Sequence, residues 1–169
     1  TWTTTALFAG LWLVVMLINL IAGRVVPGFT RNWLKRQLAE HKREPATLPP
    51  VFDRFDLLTT WLMGAFAILH LLQAPPRWVA VAGLITSVLL FIRLTRWQGI
   101  YTAREPFVLV LHVAFSWLPL GFLLLAFAEL GFVPRSAGVH ALTSGAITTM
   151  IIAIAGRAAL GHTGRALGS

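Results

Sequence analysis

The chain has 169 residues, of which 57% are hydrophobic and only 12% charged, with a formal charge of +8. A soluble domain carries about 25% charged residues, so this chain lacks the polar surface that a water-exposed fold requires. It has no cysteine, which excludes disulfides, cysteine-based zinc sites and iron–sulfur clusters on it. The basic excess would suggest nucleic acid in a soluble protein. Here the basic residues lie between apolar runs, where membrane topology accounts for them and no nucleic-acid partner is expected.

The first apolar run extends from about Trp2 to Val26 and is expected to end at Arg24 and Pro27-Gly28. That is enough for one crossing, which takes about 20 residues. Asn19 is its one strongly polar member and is read as a hydrogen-bonding contact to another helix. Phe29 to Pro50 is the longest polar link. Within it, Thr30 is expected to cap a short helix over Arg31–Arg43 that lies on the membrane surface, its basic residues mostly on one side.

The second run covers about Phe55 to Gln73 and is entered through Asp53 and Asp56, acids that favour a helix N-terminus. The third goes from about Trp78 to Arg93. The fourth starts at Pro106, a residue suited to the first position of a helix, and extends to about Gly131. The fifth is His140–Arg157, apolar apart from Thr143, Ser144, Thr148 and Thr149. The expected fold class is therefore all-α, a polytopic membrane bundle of about five transmembrane helices forming a single membrane domain over residues 1–169.

Lysine and arginine alternate between the links. There are seven from Arg24 to Arg54, one near Arg77, three from Arg93 to Arg104, one at Arg135 and two in the tail. The positive-inside rule then places the links after the first, third and fifth helices on the cytoplasmic side.

Ionisable residues inside membrane segments mark functional sites by default, which singles out His112, with apolar residues on both sides. It can act as a metal or haem ligand, or hydrogen-bond to a Ser or Thr of a neighbouring helix. His140 stands at the expected start of the fifth helix and His162 between glycines in the tail. Arg93, Arg96 and Arg157 gather on the inner side, where they can hold an anion through bidentate contacts or simply anchor the helices. Ala141, Gly145 and Thr149 form a ridge of small residues that lets another helix approach.

Three stretches carry a family resemblance. Gly23-Arg-Val-Val-Pro-Gly-Phe-Thr-Arg-Asn-Trp33-Leu34, the Leu111-His112 pair followed by Trp117 and Pro119, and His140-Ala-Leu-Thr continuing to Arg165 resemble motifs of NnrS proteins. The resemblance implies a bacterial inner-membrane protein of about twelve helices that contains haem and copper and serves nitric-oxide tolerance and denitrification. It implies that this chain is an internal or C-terminal portion of a longer protein, whose remainder would be its partner beside the lipid bilayer. The family's early histidine-rich motif has no counterpart here. His112, His140 and His162 become the expected metal or haem ligands. Arg93, Arg96 and Arg157 become the expected partners of haem propionates. A transporter-like bundle with Ser144 and Thr148 on a wet path, and a structural subunit docking through the small-residue ridge, are the alternatives.

Overall fold

The computed structural model describes residues 2–40 and 48–162, with side chains described through Ala159. It is all-helical among these residues. The long helices are α1 (Trp2–Glu40), α2 (Arg54–Leu71), α3 (Pro76–Arg96) and α4 (Pro106–Glu129). They are followed by α5 (Arg135–His140), a π-helical segment (Ala141–Thr148) and α6 (Thr149–His162), and a short 3-10 turn at Gly99–Thr102 precedes α4. Helix α1, α3, α4 and the combined stretch Arg135–Ala159 are long and apolar enough to cross a membrane. Of the five expected spans, α2 is the one that does not reach this standard; it opens with Arg54 and Asp56.

The first link departs from expectation. Helix α1 does not stop at Pro27 but continues through it to Glu40, so there is no separate surface helix and Thr30 is not a cap. Residues Arg31–Glu40 extend the first helix, and the last three residues of the expected segment lie outside the described residues. The reason is local. A proline removes one backbone donor, the one owed to the carbonyl four residues earlier, and apolar helices tolerate this where neighbouring groups compensate. The hydroxyl of Thr30 also turns back to donate to Val26 O at 2.9 Å; the carbonyl that Pro27 cannot serve is that of Gly23.

Expected starts are borne out at α2 and α4. Asp53 caps α2 by accepting from the backbone N–H of Phe55 and Asp56, while the Asp56 carboxylate accepts from the Asp53 N–H, completing a capping box. Pro106 occupies the first turn of α4.

The fifth run was expected as one regular helix opening at His140. It opens five residues earlier, at Arg135, and changes to π-helix immediately after His140. Three hydroxyls serve its backbone: Thr143 donates to Val139 O, Thr148 to Thr143 O and Thr149 to Gly145 O.

The core runs along α4, whose buried face carries Leu111, Phe115, Leu118, Phe122 and Leu125. Glycines permit the close approaches. A Cβ at Gly83 of α3 would come within 2.9 Å of Phe66, and one at Gly145 within 2.8 Å of the Trp117 indole. The small-residue ridge is therefore used, at Gly145, for packing the π segment on α4.

Candidate functional site

Four helices contribute to a charged network at one end of the bundle. Arg93 of α3 is fully buried (0% exposed). Its Nε donates to Asp56 Oδ1 at 2.5 Å and its Nη1 to Asn19 Oδ1 at 2.5 Å. The guanidinium lies 5.2 Å from the ring centre of Trp97 and 5.9 Å from that of Phe115. Asn19 completes its own bonding by donating to Thr60 at 3.1 Å, the interhelical contact expected of it. A Cβ on Gly23 would fall 2.1 Å from Arg93 Nη2, so only glycine leaves room for the arginine beside α1. Nη2 itself has no hydrogen-bond partner among the described residues.

Arg96, one turn further along α3, donates to the Asp53 carboxylate. That bond, reinforced by hydrogen bonds from Asp56 and outweighing the cost of burial, holds the Asp53 carboxyl down at about 2. Asp53–Asp56 and Arg93–Arg96 thus form two acid–base pairs with the same three-residue spacing on facing helix ends. Sequence reading treated the two acids as helix starters and did not pair them with the arginines; the matched spacing was the signal for it. Arg157 lies 3.5 Å from Glu105 and 5.0 Å from the ring centre of Phe29. Its Nη1 is buried without a hydrogen bond among the described residues. Of the three expected anion-binding arginines, Arg93 and Arg96 already hold carboxylates at hydrogen-bonding distance, and Arg157 is the most loosely paired.

His112 is 6% exposed and uses both ring nitrogens. Nδ1 lies 3.0 Å from Val108 O, an acceptor only, so Nδ1 carries a proton. Nε2 lies 3.3 Å from Thr30 Oγ1. The ring is also seated on Gly99, where a Cβ would come within 2.4 Å of Cδ2. The geometry is that of a histidine bonded to a threonine of a neighbouring helix. A metal at Nε2 would first have to displace Thr30.

His140 differs on every count. It is exposed, forms no hydrogen bond among the described residues, and lines a groove of about 370 Å³ with Trp117, Leu124, Ser144, Gly145 and Thr149. It stands at the junction between α5 and the π segment. Such π insertions are rare and frequent at functional sites. Ser144 faces this groove, whereas the Thr148 hydroxyl is turned onto the backbone. The side chain of His162 lies outside the described residues. No group of three His, Asp or Glu side chains converges among the described residues.

A family model described as NnrS protein matches residues 1–169, the full length of the chain. The chain belongs to the NnrS family. No curated protein and no solved structure matches it. For a member of NnrS, the apolar helices make this a multi-pass membrane protein. Its family motifs fall on the features just described: Gly23 against Arg93, Thr30 against His112, and His140 at the head of the π segment.

Proposed function

We propose that this NnrS-family chain works in the nitric-oxide response and denitrification, in the bacterial inner membrane, as part of a protein that contains haem and copper. Family membership supports the cofactor class. The observation that carries the site assignment is the imidazole of His140, exposed and without a hydrogen-bond partner among the described residues, over the groove walled by Trp117 and Gly145.

The described residues would hold a haem through one imidazole, that of His140, and do not make up a whole metal centre. A single neutral imidazole suffices on one side of a haem, and His140 can present one. Multi-ligand copper sites need several donors, and the described residues bring no three together. The remaining ligands would come from His162, whose place in the family motif keeps it in the proposal, or from further residues of the protein. His112 would join only by giving up Thr30. Among the arginines, Arg157 has the guanidinium least committed to a carboxylate, and it is the one proposed to meet a propionate, of a haem other than one held at His140, because about 25 Å of helix separates the two residues. A haem held at His140 would supply an iron able to take up nitric oxide; the chain's own part is to hold and orient the ring.

The test is the visible spectrum and copper content of the purified full-length protein. His140→Ala is expected to lose or shift the Soret band, and His112→Gln to leave it in place. Absence of both Soret absorption and copper in the unaltered protein would overturn the cofactor reading. An unchanged band in His140→Ala would overturn the ligand assignment alone.

A further inference from the structure

At the opposite end of the bundle from Arg93 lies a separate cavity of about 260 Å³, lined in part by Phe8, His70, Gln73, Val79, Glu129 and Arg135. Liquid water takes about 30 Å³ per molecule, so this space holds far more than one bridging water. His70 is its most informative wall. Trp12 Nε1 lies 3.4 Å from His70 Nδ1, and an indole N–H can only donate. Nδ1 is therefore the lone-pair nitrogen, and the proton of the neutral ring resides on Nε2. The ring is further held edge-on by Phe8 at 4.8 Å and Trp12 at 5.4 Å between centroids. Nε2 is buried and has no partner among the described residues.

A buried N–H without an acceptor costs about as much as a lost hydrogen bond, and here it belongs to a side chain on the cavity wall. Its missing partner must be an acceptor. A metal ion does not meet that need, because coordination at Nε2 would move the proton to Nδ1, against the Trp12 N–H. Charge narrows the class further. Glu129 and Arg135 neutralise each other at 2.8 Å, so the cavity has no net charge to attract an ion. The rest of the wall mixes the polar side chains of Thr4, Thr5 and Gln73 with the apolar ones of Phe8, Leu71, Ala74, Pro76 and Val79, and the cavity lies among the ends of membrane-type helices.

We propose that this cavity binds the head group of a neutral, lipid-soluble carbonyl compound of the quinone type, with a ring carbonyl oxygen accepting from His70 Nε2–H. The volume suits a single ring. The ring lies against Phe8 and Val79, and Gln73 stands at the rim. This site uses none of the residues assigned to the haem or copper, so either proposal can fail without the other.

The experiment uses the full-length protein in lipid nanodiscs, with decylubiquinone as probe and sodium formate as the small-anion control. Saturable quenching of tryptophan emission and a rise in unfolding temperature with decylubiquinone are expected, with no effect of formate. His70→Leu should bind about tenfold or more weakly, as for loss of a buried hydrogen bond. His70→Gln, which restores a donor, should recover most of the affinity; it also serves if the leucine variant does not fold. Trp12→Phe, which frees the tautomer, should bind several-fold more weakly. Equal affinity in His70→Leu and His70→Gln relative to the unaltered protein would overturn the proposal. So would saturable stabilisation by formate in place of the quinone, or no binding of either, which would leave a water-filled cavity.

Discussion

Arg93 Nε and Asp56 Oδ1 lie 2.5 Å apart with their side chains 0% and 3% exposed. The pair joins α3 to α2, and Asn19 adds α1 through the same guanidinium. Removing one partner of a buried pair leaves an uncompensated charge, at about 3–5 kcal/mol. Asp56→Ala should therefore be strongly destabilised in thermal unfolding in detergent. Asp56→Leu combined with Arg93→Leu should be less damaged than either single change, since no lone charge remains. If the two single losses simply add in the double variant, the pair is not the unit that holds these helices together.

The neighbouring pair gives a dependence on pH. Asp53 is held at about 2 in the fold against an ordinary value of 3.8. A depressed carboxyl contributes stability that is fully present above the unfolded value and disappears as pH falls through the folded one. Unfolding temperature should thus fall between about pH 4 and pH 2 in the unaltered protein. Asp53→Asn, which keeps a side-chain oxygen for the cap, should be somewhat less stable at pH 7 and show a shallower fall across that window. Both side chains of the Arg96–Asp53 pair are partly exposed, so the difference at neutral pH should be modest, about 1 kcal/mol or less, and smaller still in high salt.

The single hydroxyl hydrogen of Thr30 has two acceptors within reach, the carbonyl of Val26 at 2.9 Å and Nε2 of His112 at 3.3 Å. Thr30→Val keeps the shape and leaves a buried imidazole nitrogen unpartnered, a loss of about 1–3 kcal/mol. Thr30→Ser retains the hydroxyl and should stay within a few tenths of the unaltered protein. A valine variant as stable as the serine one would show that the 3.3 Å contact carries no energy.

Gln73 closes the C-terminus of α2 with φ of 52°, and Ala74 N bonds back to Leu69 O. This left-handed position ordinarily belongs to glycine, and another residue there costs about 1 kcal/mol or more. Gln73→Gly should raise the unfolding free energy by a comparable amount in the absence of ligand. A lower unfolding temperature would mean that the glutamine side chain contributes more through its contacts than the backbone loses.

Helix content and most boundaries were legible because apolar runs, capping acids and Pro106 all act locally. The span through Pro27 was not, because a proline reads as a helix stop although a long apolar helix tolerates the loss of one backbone bond. The π segment was equally hidden, since nothing in the composition of Ala141–Thr148 separates a five-residue from a four-residue repeat. For the candidate site, the sequence singles out His140, His112 and the arginines but does not pair them. Asp56 with Arg93 and Thr30 with His112 are meetings between helices, which periodicity along one helix does not encode. His70 has no distinguishing signal in the sequence, because its orphan nitrogen appears only once Trp12 is seen to occupy the other edge.

The unbroken α1 has a mechanical consequence. Thirty-nine residues at about 1.5 Å each make a rod of roughly 58 Å, almost twice the roughly 30 Å of hydrocarbon it crosses. Its basic end is thus a rigid lever rather than a float on the headgroups. Any load taken up at Lys35 or Arg36 is delivered down the same rod to Thr30 and Gly23, against two buried ionisable side chains of the bundle's charged end, His112 and Arg93.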